Sequence, residues 1–213
     1  TEMIDPGAVV DLDVSIKADS VIQLVPVPGA PSFLGNYQHM TRMENYGIDS
    51  LFLSILTPEN EHITAKTAVP EAIEISSYTV SQTTNSVSIT FPTSRNPRQN
   101  YYIFSMQARK SDQDDPILKK ETIYMDLSDH TPGTSIEKTI KCPQIEQADA
   151  VFITLMRITE ACYNYQISLY EANSANQGSI TTPVPLVGNI QGALGIFTCY
   201  SKSNKYIPKE KFN

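Results

Sequence analysis

The sequence predicts a mainly β protein of immunoglobulin-like or β-sandwich architecture, with one α-helix near its C-terminus. Three observations carry this expectation. Apolar and polar residues alternate in several separate segments, one late segment spaces its apolar residues at helical intervals, and prolines and turn residues punctuate the chain between them.

Val10, Leu12, Val14 and Ile16 alternate with polar and small residues, the pattern of a half-buried strand. Leu51, Leu53 and Ile55 repeat it, then Ile63 and Ala65 after the turn-rich Pro58-Glu59-Asn60-Glu61, which predicts a hairpin with strands at about 50–57 and 61–67. Val87, Ile89 and Phe91 form the cleanest strand, closed by Pro92, which cannot donate to a ladder. Asn100–Arg109 and Val151–Ile158 are largely apolar on both faces, as central strands covered on two sides are. Ile123, Met125 and Leu127 alternate again, and Ile136 and Ile140 do so less cleanly.

From Ile158 the period changes: Ala161, Cys162, Tyr165, Leu169 and Ala172 recur on one helical face. Thr159 suits the N-cap, Glu160 the positive end of the dipole, and Asn173, Ser174 and Gly178 the stop, predicting a helix over 159–173 packed on a sheet. Thr181-Thr182-Pro183-Val184-Pro185 must then run extended. The segment 26–31 and the polar stretch Thr93–Gln99 read as a break and a loop. One continuous unit over 1–213 is expected, with a candidate sub-boundary near 70–85 separating an N-terminal β module (1–75) from a C-terminal sandwich with helix (76–213).

Composition narrows the classes of function. Charged residues make up 18% and hydrophobic ones 40%, which excludes a disordered chain. The net charge is −7 with the basic residues scattered, so nucleic acid is not an expected partner. No apolar run approaches the roughly 20 residues of a spanning helix. Cys142, Cys162 and Cys199 are odd in number and far apart, which excludes a disulfide framework and reads as small buried hydrophobes.

No cofactor is expected, and no catalytic motif stands out. The acidic run Asp112-Gln113-Asp114-Asp115 lacks the glycine and glutamate of a calcium loop, since Ile117 and Ile123 hold those offsets, so it reads as a solvated hairpin loop. Asp126, Asp129 and His130 could ligate a metal, but they also fit a turn into Pro132-Gly133. His39, His62 and His130 match no zinc spacing, and no nucleophile elbow is present. Gly192-Ala193-Leu194-Gly195 is not a phosphate loop and reads as a bulged strand start. Tyr101, Tyr102, Tyr163, Tyr165 and Tyr200 could make a stacking platform, but most of them suit a core.

The stretch Pro183-Val184-Pro185 and then Gly188-Asn189-Ile190-Gln191-Gly192-Ala193-Leu194-Gly195-Ile196-Phe197 resembles the end motif, roughly N-I-x-G-G-x-G-x-F, of a Bacteroidetes cell-envelope lipoprotein family of unknown function. Upstream, Leu51–Thr67 running to Val69-Pro70, Asn96-Pro97 before Asn100-Tyr101-Tyr102, and Ile158–Tyr165 resemble further family segments in the same order. Ala193 stands where the second motif glycine is usual, which suits a negative φ, and His62 where an aromatic is usual.

The resemblance implies a structural role for Asn189, Ile190, Gly192, Gly195 and Phe197, with Ile190, Leu194, Ile196 and Phe197 anchoring the last strand. It also implies a lipid anchor and signal peptide upstream of Thr1, an outer-membrane location facing the periplasm or the surface, and genes beside TonB-dependent receptors. It carries no catalytic residues. The function expected is a non-enzymatic accessory or binding protein that assists a TonB-dependent uptake system. The rivals are a structural subunit of a surface adhesin or pilus, and a hydrolase whose site assembles in space.

Overall fold

Alternation in the sequence becomes antiparallel pairing in the computed structural model, which describes residues 12–27, 37–39, 48–110, 117–174 and 184–213. The protein is mainly β. Its strands are β1 (Asp13–Lys17), β2 (Val21–Gln23), β3 (Val25–Pro26), β4 (Tyr37–Gln38), β5 (Ser50–Leu56), β6 (His62–Ala68), β7 (Ser77–Ser81), β8 (Ser86–Pro92), β9 (Tyr101–Arg109), β10 (Ile117–Asp126), β11 (Ser135–Lys141), β12 (Ala150–Ile158), β13 (Ile190–Gln191) and β14 (Tyr200–Pro208). Among the described residues there is a single α-helix, α1 (Glu160–Ser174).

The chain divides into two units, Thr1–Val69 with Asn164–Thr198, and Pro70–Tyr163 with Cys199–Asn213. The first crossing between them falls at Val69–Pro70. The chain then crosses twice more, because β13 pairs with β6 in the first unit and β14 with β12 in the second. A boundary read along the chain has no access to such returns.

In the first unit one sheet runs in the order β13-β6-β5-β1-β2, beside the short pair β3-β4. Its hairpin between β5 and β6 turns through Asn60 at φ +64°, a left-handed position that asparagine tolerates better than most residues. One face of the sheet buries Val14, Ile22, Leu51 and Ala65. The other face is largely polar. Val10 and Gly178 lie outside the described residues, as do Thr181, Thr182, Pro183 and the acidic run 112–115.

In the second unit, sheets β10-β9-β12-β14 and β11-β8-β7 share one core, which makes this unit a two-layer sandwich. Val80, Val87, Ile89 and Phe91 project from one sheet, and Phe104, Met106, Val151, Ile153, Leu155 and Ile207 from the other. The rings of Phe91 and Tyr102 meet at 5.0 Å and 55°. On the opposite face of β9 and β12, Tyr101, Ile103 and Ile158 pack against Cys162 of α1. Both central strands are therefore covered on two sides at this end, whereas Ser105, Gln107, Phe152 and Thr154 of the second face are half-buried.

The Thr159 hydroxyl accepts from the Cys162 amide at 3.2 Å, the expected N-cap. Beyond Cys162 the apolar face is only partly covered. Ser168 is the other buried residue of α1, donating to the Tyr165 carbonyl at 2.8 Å and accepting from the Val187 amide at 3.1 Å. Tyr101 and Tyr102 are buried, whereas Tyr200 is exposed.

Candidate functional site

The polar face of the first unit's sheet holds the candidate site. Register sets Lys17, Phe52 and Lys66 in one row across β1, β5 and β6, and Ser15, Ser54, Thr64 and Gln191 in the next row, which reaches β13. Because side chains alternate, both rows stand on the face opposite Leu51 and Ala65. All members of the two rows but Ser15 line an open concavity of about 410 Å³, to which Asn189 also contributes.

Phe52 is 46% exposed, an unusual position for a large ring, and the Lys66 ammonium lies 5.1 Å from its centroid. The lining residues include two lysines and no carboxylate. The hollow itself is thus locally basic, on a chain of net charge −7 and on a face that also carries Asp13 beyond Ser15.

The motif segment builds one wall. Asn189 donates from Nδ2 to the Lys66 carbonyl at 3.1 Å and to the Phe197 carbonyl at 2.8 Å, and its Oδ1 accepts from the Phe197 amide at 2.8 Å. One side chain therefore closes the loop on itself and ties it to β6. A Cβ on Gly188 would lie 2.1 Å from the Gly195 carbonyl oxygen, so only glycine permits that approach. Gly192 and Gly195 hold φ of +89° and +141°. Ala193 is not among the positive-φ residues, consistent with an alanine there.

The Gly192–Gly195 stretch is a bend that follows the two residues of β13, rather than a bulged strand start. Leu194 is 88% exposed and anchors no strand, so the anchoring role expected of it is not seen. Ile190 and Phe197 are half-buried.

Other candidates resolve into structural contacts. His62 Nε2 and Ser54 Oγ lie 2.8 Å apart, a nucleophile and base in reach, yet among the described residues no carboxylate orients the second ring nitrogen. Asp126 Oδ1 accepts from the Ser128 amide at 2.9 Å and from its hydroxyl at 2.6 Å, which makes it a turn residue. Among the described residues, no three His, Cys, Asp or Glu side chains gather to hold a metal. Burial raises the thiol pKa of Cys142 and Cys199, and burial chiefly raises that of the Tyr101 phenol. Lys119 is raised by its contact with Glu121, 2.7 Å away. None of these four groups lines the concavity.

A polar cluster lies inside the second unit, with no motif in the sequence to mark it. Arg157, 3% exposed, donates from Nη1 to the Glu71 carbonyl at 3.1 Å and the Ala72 carbonyl at 2.9 Å, and lies 3.7 Å from the Glu71 carboxylate. Nearby, the Tyr102 hydroxyl donates to Asn100 Oδ1 at 2.6 Å, which also accepts from the Ser94 amide at 2.7 Å. This network pins the loop 93–100 and the segment after Val69 to the sheet. The only signal for it was a lone arginine inside the apolar run Val151–Ile158.

The family model of a domain of unknown function, DUF4249, matches residues 8–206, and the chain belongs to that family. A search of curated proteins returns no match.

Proposed function

We propose that this member of the DUF4249 family is a non-enzymatic binding protein of the cell envelope that takes its ligand in the concavity around Phe52. The observation that carries this reading is the wall of that concavity: Asn189, within the segment that resembles the family motif, is hydrogen-bonded to the strand carrying Lys66. The loop that resembles the motif thus borders an open hollow that contains Phe52 and has a size suited to a small ligand.

The resemblance supplies the setting of the proposal: a Bacteroidetes outer-membrane lipoprotein, anchored by lipid, that presents its ligand to a TonB-dependent receptor. Among the described residues no helix is long and apolar enough to cross a membrane, so a lipid would be the means of attachment in this reading.

The test is a glycan and peptide array probed with the wild-type chain and with Phe52→Ala. Retention of a defined ligand class by the wild type and its loss in the variant is the expected result. Equal binding by both, or none by either, overturns the site. For the setting, deletion of the gene should abolish uptake through the neighbouring receptor, and unchanged growth on every substrate of that receptor would refute it.

A further inference from the structure

We infer that the concavity recognises an acidic sugar, a uronic-acid residue within an oligosaccharide; the inference rests on the binding role proposed for this site. Three features of the lining point to that chemistry. Phe52 presents a part-exposed ring, with the Lys66 ammonium over it at 5.1 Å from the centroid, and the remaining accessible ring is the kind of flat apolar surface on which the C–H face of a pyranose stacks. Lys17 and Lys66 stand directly across from it on the neighbouring strands, where either ammonium can meet a carboxylate held over the ring. Ser54, Thr64 and Gln191 form the adjacent row, offering hydroxyl and amide groups at the spacing of the strands for sugar hydroxyls.

Charge selects the acidic ligand over a neutral one. Among the described residues neither Lys17 nor Lys66 has a carboxylate partner, and no acid lines the hollow. Among the described residues these two cations stand without an ion-pair partner, on a chain of net charge −7. The position of the hollow argues against an extended acidic peptide. It lies on the face of β1, β5 and β6, whose backbone groups are engaged in pairing, so no free edge is offered for strand addition.

The experiment is calorimetric titration of the chain with trigalacturonate, and with galactotriose and hexaglutamate as the neutral-sugar and acidic-peptide probes. Trigalacturonate should bind best, and its affinity should fall as salt rises from about 50 to about 500 mM. The double variant Lys17→Gln, Lys66→Gln should lose about tenfold or more in affinity, while Lys17→Arg, Lys66→Arg retains it. Phe52→Ala should weaken binding without removing the salt dependence.

Equal binding of galactotriose, with loss in Phe52→Ala, overturns the acidic specificity while leaving the binding site standing. Hexaglutamate binding as well as trigalacturonate shows recognition of charge alone and overturns the sugar. No binding of trigalacturonate overturns the inference outright.

Discussion

The two units spend their residues differently. In the second, side chains such as Phe91, Phe104, Met106 and Leu155 are wholly inaccessible, and two sheets close over them. In the first, one sheet leaves Phe52 46% exposed between lysines and hydroxyls. A densely packed sandwich has few conformations to offer a ligand, because interdigitated side chains transmit strain and leave no void. A sheet with a free polar face keeps its register while its surface stays available. Dense packing is thus concentrated in the second unit, and the proposed recognition face lies on the first.

The largest effect should come from opening the packed core. Phe104→Ala is expected to cost about 3–5 kcal/mol in urea denaturation, with hydrogen exchange accelerating in Pro70–Tyr163. If protection is lost equally over residues 48–69, the two units unfold as one block and the contrast between them fails.

Arg157→Met should cost less, about 1–3 kcal/mol, since it leaves the Ala72 carbonyl without its side-chain donor, while the Glu71 carbonyl keeps the Ser201 hydroxyl and the Glu71 side chain remains accessible to water. An unchanged urea midpoint would mean that the network is satisfied without the guanidinium.

In the first unit, Gly188→Ala should cost about 1–3 kcal/mol as the new methyl collides with the Gly195 carbonyl. Its effect should appear as loss of protection at Phe197 and along β6, with the sandwich unaffected. Spread of the damage to β9 and β12 would show that the motif loop supports more than its own unit.

The smallest effect is one of pH. Burial raises the Cys142 thiol above its ordinary 9.0, so the folded chain holds that proton more tightly than the unfolded one. The stability this contributes is complete below pH 9.0 and declines as pH rises through the raised value. Cys142→Ala should therefore show a shallower alkaline loss of stability in urea titrations at pH 8 to 10.5. A slope equal to that of the wild type would assign the loss elsewhere, with the Cys199 thiol, raised likewise by burial, the next group to test.

Much of the β-rich framework is legible in the sequence. Strands rich in apolar residues were legible because burial on one face forces a period of 2, and the helix because Thr159 and its neighbours carry both a cap and a change of period. Strand β14 was not legible. Its inward positions Ser201, Ser203, Lys205 and Ile207 include a single hydrophobe, since an edge strand needs few apolar contacts when its ladder to β12 holds it. Strand β7 was hidden likewise, with Val80 its only fully buried side chain.

The candidate site divides in the same way. Asn189, Gly192 and Gly195 drew notice as a pattern of small and turn-forming residues. Phe52 and Lys66 read as ordinary outward positions of a strand, and nothing in their local sequence links them to Lys17 or to a loop more than a hundred residues away.

Local chemistry therefore accounts for the β-rich class, the position of the one helix and the need for glycine around Asn189, because period, capping and backbone freedom act between near neighbours in the chain. Folding in three dimensions accounts for the interleaved units, the burial of Arg157 and the row of Lys17, Phe52 and Lys66. Those depend on register between distant strands, and pairing partners are selected by the packing of whole sheets, a property no single segment carries.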